Sequence, residues 1–427
     1  MKKKIQFIKL VIFQCSIVEI LNLLLNKIII FNVTKLYYFL RSFLFFRSSS
    51  CIYNYRKYWM KDKKNNRKRA LLSFLRYPVY KQYYIGRLRF FFSTHGLVLN
   101  ILRALNELGY EVDIIDFYNK NFVPVKKYDV FITHTARNFK TISGKINRDV
   151  VKICFDTGIY WQIHNKKEKE RFDNLKERKG VNLLFDRYIY DGENIDFMLA
   201  NVDGIISLGG DFTRESYSKT PFAQKLFVLS SALYRDKYFK QIKKDFEKAR
   251  KNFLFFSGGG NIHKGLDLLL ESFVKTNSHL YICTDFDPGF EKIYQKELSR
   301  PNIHHVGYLK QGTRNFYDII DRCAFNIHPS CSEGSPGGVI DLMQYGIIPI
   351  ISYESNIKVN KFGIQLKENT IEEIKNVIEE LSQKPSNWLE EKSRKTKEAA
   401  FNNFSEKVFL KNMKDIIGKI IRKTKIN

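Results

Sequence analysis

Residues 328–341 hold the densest chemistry of this 427-residue chain: His328-Pro329-Ser330-Cys331-Ser332-Glu333-Gly334-Ser335-Pro336-Gly337-Gly338-Val339-Ile340-Asp341. An apolar run that fits a strand precedes them, and a helical pattern follows. Ser335 suits an N-cap and Pro336 the first helical position. Gly337 and Gly338 each cost ~1 kcal/mol relative to Ala inside a helix. They are accounted for if a ligand must approach the free N–H groups of the first turn, where an anion is favoured and a diphosphate is the expected occupant. Glu333 falls in the loop before the cap, and Asp341 lies ~7.5 Å along the helix axis from Pro336 at ~1.5 Å per residue. One carboxylate can then face a sugar and the other the ribose of a nucleotide. The plain alternative is a capped structural helix with both carboxylates solvated.

About 70 residues earlier stands Phe253-Leu254-Phe255-Phe256-Ser257-Gly258-Gly259-Gly260-Asn261-Ile262-His263-Lys264-Gly265-Leu266-Asp267. A strand, a glycine-rich loop and a helix with Leu266, Leu269, Leu270 and Phe273 inward form a phosphate-cradle layout. It is not a P-loop, because no Ser or Thr follows Lys264, and His263 occupies the third glycine position of a dinucleotide fingerprint. A triple glycine is a weak signal alone; Lys264 and the Glu333 segment make it specific.

Gly-Gly-x-x-His-Lys-Gly-Leu-Asp, then Pro-Ser-x-Ser-Glu-Gly-x-Pro, then Asp-Leu-Met-Gln-Tyr-Gly-Ile-Ile-Pro-Ile-Ile-Ser together resemble the family 4 nucleotide-sugar glycosyltransferases, glycosyl transferases group 1 of the GT-B fold. The resemblance is strongest over 250–355, weaker over 70–235 and absent over 1–60. It implies that the first acid of a Glu-x7-Glu pair, here Glu333, faces the transferred sugar and that the second, here Asp341, binds the ribose. Lys264 would neutralise the diphosphate, beside the backbone of Gly259, Gly260, Gly337 and Gly338. It also implies retention of configuration and work without a metal. Two departures stand out. The second acid is one methylene shorter, and the Arg that often precedes the Lys is missing, with Gly259 in its place, so backbone amides or another residue must help to hold the phosphates.

In the first half the resemblance places acceptor binding. Loops after strands include Ser93-Thr94-His95-Gly96, Thr133-His134-Thr135 and Asp156-Thr157-Gly158. His134, directly after a strand end, is the candidate nearest the reacting sugar; a hydrogen-bonded loop histidine is its plainer reading. His164-Asn165 and Arg171 could reach acceptor or donor. His304-His305 reads as structural, and Asp285-Phe286-Asp287 as a turn or a neighbour of the nucleotide base.

These residues need strand ends to carry them. Strands at 70–75, 111–117, 128–133, 150–155 and 202–208 alternate with helices, one of them at 97–108. Beyond a charged stretch at 240–251 come strands at 253–256, 280–283, 325–328 and 348–351, with helices near 266–274, 314–321, 338–345 and 371–381. Such alternation argues for parallel, doubly wound sheets. The expected class is α/β and GT-B-like: two Rossmann-like domains facing a cleft, with ligands at the carboxyl ends of the strands. The boundaries read as a basic amphipathic extension at 1–69, an acceptor domain at 70–239, a linker at 240–252, a donor domain at 253–398 and a basic amphipathic helix at 399–427. In that helix Val408, Phe409, Met413, Ile416, Ile417 and Ile420 share one face.

Composition bounds the rest. With 44% hydrophobic and 15% aromatic residues the chain can bury a sizeable core. Its six cysteines form no CxxC or dense framework and read as reduced and cytosolic, and no Cys or His pair has zinc-finger spacing. Of the net +28, residues 1–90 supply +18, from 20 Lys/Arg against Glu19 and Asp62. So local a block argues against nucleic acid as a partner; amphipathic helices lying on an anionic membrane surface account for it, as does a helix packed on the body or a poorly ordered tail. Lys9, Glu19, Lys27, Lys35 and Arg41 interrupt any spanning run. The expected protein is a cytoplasmic, peripherally membrane-associated glycosyltransferase of envelope polysaccharide or lipid-linked glycan synthesis, with a nucleotide-sugar donor and a glycan or lipid-linked acceptor. Another GT-B sugar-nucleotide enzyme such as an epimerase, and a non-catalytic sugar-nucleotide-binding or assembly subunit, are the alternatives.

Overall fold

The computed structural model describes residues 51–55, 68–76, 79, 93–234, 236, 244–359 and 361–426. The expected extension at 1–69 therefore lies almost wholly outside the described residues. Strands β1 (Ile52–Tyr55), β2 (Lys68–Phe74), β3 (Tyr110–Asp116), β4 (Val130–Thr133), β5 (Val151–Asp156), β6 (Gly204–Leu208) and β7 (Leu226–Leu229) form one sheet in the order β1-β3-β2-β4-β5-β6-β7. Strands β8 (Asn252–Phe256), β9 (His279–Cys283), β10 (Ile303–His305), β11 (Phe325–His328), β12 (Ile348–Ser352) and β13 (Ile364–Leu366) form a second, ordered β10-β9-β8-β11-β12-β13. The second sheet is parallel throughout; in the first, β3-β2-β4-β5 pair in parallel and β1 adds an antiparallel edge to β3.

Parallel strands covered on both faces read as continuous apolar runs, and every residue of β4, β11 and β12 is buried. That is why the alternation was legible, with strand ends displaced by only a residue or two. The order reverses between β2 and β4 in one sheet and between β8 and β11 in the other, and at such switch points the loops part and leave a crevice. The 253–267 and 328–341 segments leave the second sheet at its switch point.

By contacts the chain divides into two compact units, Met1–Phe155 with Glu193–Ile205 and Met413–Asn427, and Asp156–Gly192 with Ile206–Asn412. The expected segments at 1–69, 70–239, 240–252, 253–398 and 399–427 follow one another along the chain, whereas the contact units interleave. Within the 240–252 stretch, Phe246–Ala249 is a short helix capped by the Asp245 side chain. The expected helix at 399–427 is instead the end of Ser386–Phe404 and a separate helix, Glu406–Ile426. Phe409, Met413, Ile416, Ile417 and Ile420 on its apolar face are buried, and a Cβ added to Gly204 would lie 2.5 Å from Ile420 Cδ1. That face fills a core. Among the described residues no helix is long and apolar enough to cross a membrane.

The second unit's core runs through Phe253, Phe255, Phe273, Ile282, Phe325, Ile327 and Ile350, with Phe253 stacked on Phe325 at 4.8 Å. Phe253→Ala is expected to cost ~3–5 kcal/mol and Ile350→Val only ~0.5–1.5. Urea unfolding midpoints of the two variants check this; equal losses would mean that β8 does not anchor the core.

Candidate functional site

The loop after β8 can follow its path because Gly259, Gly260 and Gly265 take φ of +100°, +78° and +80°, a region that side chains penalise. A reciprocal clamp holds it. The Asn261 N–H donates to Asp287 Oδ2 at 2.5 Å, and the Asp287 N–H donates to Asn261 Oδ1 at 2.6 Å. Asp287, read from sequence as a turn or a base neighbour, thus fixes the glycine loop. Gly265 is tight as well, since a Cβ there would meet the Pro329 carbonyl at 2.6 Å.

The loop after β11 brings Glu333 to the same place. Glu333 Oε1 lies 3.3 Å from His328 Nε2, 3.3 Å from the Ser330 hydroxyl and 3.9 Å from Lys264 Nζ. Burial alone would raise the Glu333 carboxyl, but the Lys264 ammonium and the His328 ring hold it well below the usual carboxylate range. Burial pushes Lys264 below an ordinary lysine, and Glu333 pulls it back. The loops are also joined directly: His263 Nε2–H donates to the Ser332 carbonyl at 2.6 Å, and the Cys331 N–H donates to the His263 carbonyl at 2.9 Å. Burial pushes His263 down to about 3, so it is a neutral brace.

Pro336, not Ser335, caps the Gly337–Met343 helix. The Ser335 hydroxyl accepts the Ser231 N–H at 3.1 Å, and the helix has no side-chain cap. Gly338 is closely packed, since a Cβ there would sit 3.3 Å from the Phe256 ring. Asp341, four residues beyond Gly337, accepts the Tyr234 N–H at 2.8 Å and the Gln311 amide at 3.2 Å. Burial lifts its carboxyl to about 7 against those donors.

A third element carries His164, Asn165 and Arg171, which the sequence offers to acceptor or donor alike; the structure sets them beside the two donor loops. The Trp161–Lys179 helix buries Asn165, Glu168 and Arg171 beside Phe172 and Leu175, so it shows no clean apolar stripe. His164 Nε2–H donates to the Arg187 carbonyl at 2.9 Å, and Nδ1 accepts from the Ser332 hydroxyl at 2.9 Å. Arg171 donates to the Pro329 carbonyl at 3.0 Å, and buried Asp267 pairs with Arg178 at 2.5 Å and lies 3.9 Å from Arg171. Glu168 Oε1 accepts the Arg187 N–H at 2.6 Å, and burial raises its carboxyl to about 7. The signal was there in His164 and Glu168, an i,i+4 pair, but nothing in the pattern says which way it faces.

His164, Glu168 and His263 place potential metal-ligand atoms within 4.8 Å of one another, a grouping that spacing along the chain could not reveal. Both nitrogens of His164 are already engaged, so the trio works as a hydrogen-bonded brace between helix and loops.

His134 belongs to the first unit, at the end of β4 beside that sheet's switch point. Its ring stacks on Phe74 at 4.1 Å, and Nδ1–H donates to the Phe155 carbonyl at 3.0 Å, which leaves the Nε2 lone pair available. Burial keeps the ring neutral. Asp156 accepts from the Thr157 and Gly158 N–H groups and from the Tyr217 hydroxyl, and burial lifts it to about 6. Ser93–Gly96 is the opening turn of the Ser93–Glu107 helix rather than a loop. His304 pairs with His279 at 3.0 Å, and His305 bonds the Thr284 carbonyl at 3.1 Å.

Residues 237–403 match the family described as glycosyl transferases group 1. No curated protein matches the chain. Among solved structures it is similar to sucrose-phosphate synthase of Thermosynechococcus elongatus, at 12% identity and TM-score 0.60 over 84% of this chain and 100% of that one. It is also similar to HepE of Anabaena with UDP and glucose, at 11%, TM-score 0.52, 84% and 100%, and to WaaG, a glycosyltransferase involved in lipopolysaccharide biosynthesis, at 13%, TM-score 0.51, 82% and 99%. The chain spans about half of the S. aureus TarM structures that it matches, 55% and 54%. The fold is GT-B.

Glu168 and Asp341, both raised to about 7, keep a proton in the folded state that the unfolded chain releases near pH ~4. The folded state therefore binds more protons, and their contribution, complete below pH ~4, is lost as pH rises through ~7. Between about pH 5 and pH 8 the Tm of Glu168→Gln should fall less than that of the unaltered protein. Parallel curves in differential scanning calorimetry would show that Glu168 is ionised throughout.

Proposed function

We propose that the protein transfers a sugar, with retention of configuration, from a nucleoside-diphosphate sugar to an acceptor hydroxyl. The observation that carries this is the meeting of Lys264 Nζ and Glu333 Oε1 at 3.9 Å where β8 and β11 diverge, inside a group 1 domain. As the sugar–oxygen bond breaks, charge grows on the departing diphosphate. Lys264 and the N–H groups near Gly259, Gly260, Gly337 and Gly338 stabilise that charge more than they stabilise the ground state, which is what lowers a barrier. Glu333, ionised and held by His328 and Ser330, faces the sugar and favours its developing positive character. Asp341 takes a ribose hydroxyl in exchange for its Gln311 bond. His134, neutral with a lone pair on Nε2, suits the acceptor side. Lys264 and the backbone meet the diphosphate charge in this reading, which calls for no metal or other cofactor.

The donor class is supported by the UDP and glucose in the HepE structure, and an envelope glycan or lipid-linked acceptor by the lipopolysaccharide role of WaaG. Residues 1–69, with +14 of the net +28 from 16 Lys/Arg against Glu19 and Asp62, would hold the protein against the anionic inner face of a membrane, as a peripheral and not a spanning contact.

A thermal-shift panel of uridine, guanosine, adenosine and cytidine diphosphates tests the donor site. At 100 times its Kd a ligand adds ~2.7 kcal/mol. One base should stabilise the protein and lose its effect in Lys264→Ala. With the matching sugar nucleotide, Glu333→Gln should retain donor binding and lose turnover by ~100-fold or more. Absence of a shift with all four bases would refute the donor assignment.

A further inference from the structure

Deepening that reading, on which it rests, we propose that Arg187 is the second diphosphate-binding cation of the donor site, supplied from the segment after the Trp161–Lys179 helix rather than from the glycine loop itself.

The loop cannot supply its own. Position 259 has φ of +100°, and a Cβ there would face Asp287 Oδ1 at 3.6 Å, so an arginine would meet strained backbone and start beside the carboxylate that clamps the loop. Position 260 has φ of +78°, and a Cβ there would lie 3.0 Å from Arg187 Nε and 3.5 Å from its Nη2. The absent side chain of Gly260 is thus the space that the Arg187 guanidinium uses. Arg187 Nη2 donates to the Gly259 carbonyl at 3.2 Å, which sets the fork over the loop. Among the described residues no carboxylate is paired with this guanidinium, which is solvent-exposed and has donors left for a ligand.

The backbone of Arg187 is fixed independently of its side chain. Its N–H is held by Glu168 Oε1 at 2.6 Å, its carbonyl by His164 Nε2 at 2.9 Å, and Ile189 is clamped twice by Asn165 at 2.8 Å. Three buried or half-buried polar residues of one helix therefore place one exposed arginine, a costly arrangement if the arginine merely tethered a carbonyl. Its charge is felt at Lys264 and His263, where it opposes protonation, so the two cations share one field. A diphosphate relieves that repulsion, and a planar fork meets phosphate oxygens in pairs where an ammonium meets them singly.

The test compares each of the four nucleoside diphosphates with its nucleoside by isothermal titration calorimetry, in the unaltered protein, Arg187→Ala and Arg187→Lys. Because the backbone anchors remain, all three should unfold at similar temperatures. Arg187→Ala is expected to bind the preferred diphosphate ~10- to 100-fold more weakly while binding the nucleoside unchanged, and Arg187→Lys to recover part of the loss. A purely structural arginine would weaken both ligands alike or neither, and either result overturns the proposal. If the unaltered protein binds no diphosphate, the donor reading itself fails and the proposal with it; if it binds one and Arg187→Ala binds it equally well, only the proposal fails.

Discussion

The second unit is organised around one half-buried carboxylate that keeps its charge. Glu333 gives up water, and that loss is offset by Lys264, His328 and Ser330. A buried ion pair seldom adds stability over apolar packing of the same volume, because desolvation consumes most of the attraction. On the proposed function its presence at the mouth of a switch point is an electrostatic preparation: the charge is already in place, so little reorganisation would remain when a donor arrives. The braces around it, His263 to Ser332 and Cys331 to His263, keep the two loops from parting under that strain.

Where the sequence was legible, one reason recurs. Strands buried on both faces and helices with one apolar face leave periodic traces, and the glycines at 259, 260 and 265 announce backbone that only glycine takes cheaply. The Lys264 and Glu333 segments could be joined because each follows a strand end. What stayed hidden depends on side chains whose direction no period encodes. Glu168 is polar, buried and in mid-helix, and the pattern around His164, Asn165 and Arg171 does not say which way those side chains face. Arg187 sits in an irregular segment among exposed residues. The N-cap position is Pro336 and not Ser335, whose hydroxyl is bonded by Ser231, a partner 104 positions away along the chain.

Asp267 shows how the same helix contributes to stability as well as to the site. Fully buried, it has Arg171 and Arg178 as its cations, and the Arg178 guanidinium also reaches Glu271 at 3.2 Å. Removing the cations would leave a carboxylate in apolar surroundings, a loss of several kcal/mol by the usual scale for broken buried pairs, about 3–5.

The interleaved path of the chain bears on separability. Residues 156–192 belong by contacts to the same unit as 206–412, although about sixty residues of sequence stand between them and the strand that leads into the glycine-rich loop. A fragment cut at the obvious charged boundary near 240 would carry Lys264, Glu333 and both glycine segments, and every motif by which the domain is recognised. It would still lack the helix that neutralises Asp267, braces His263 and presents Arg187. Modularity by motif and modularity by folding are therefore different properties of this chain: the smallest piece that can be named is smaller than the smallest piece that can stand alone.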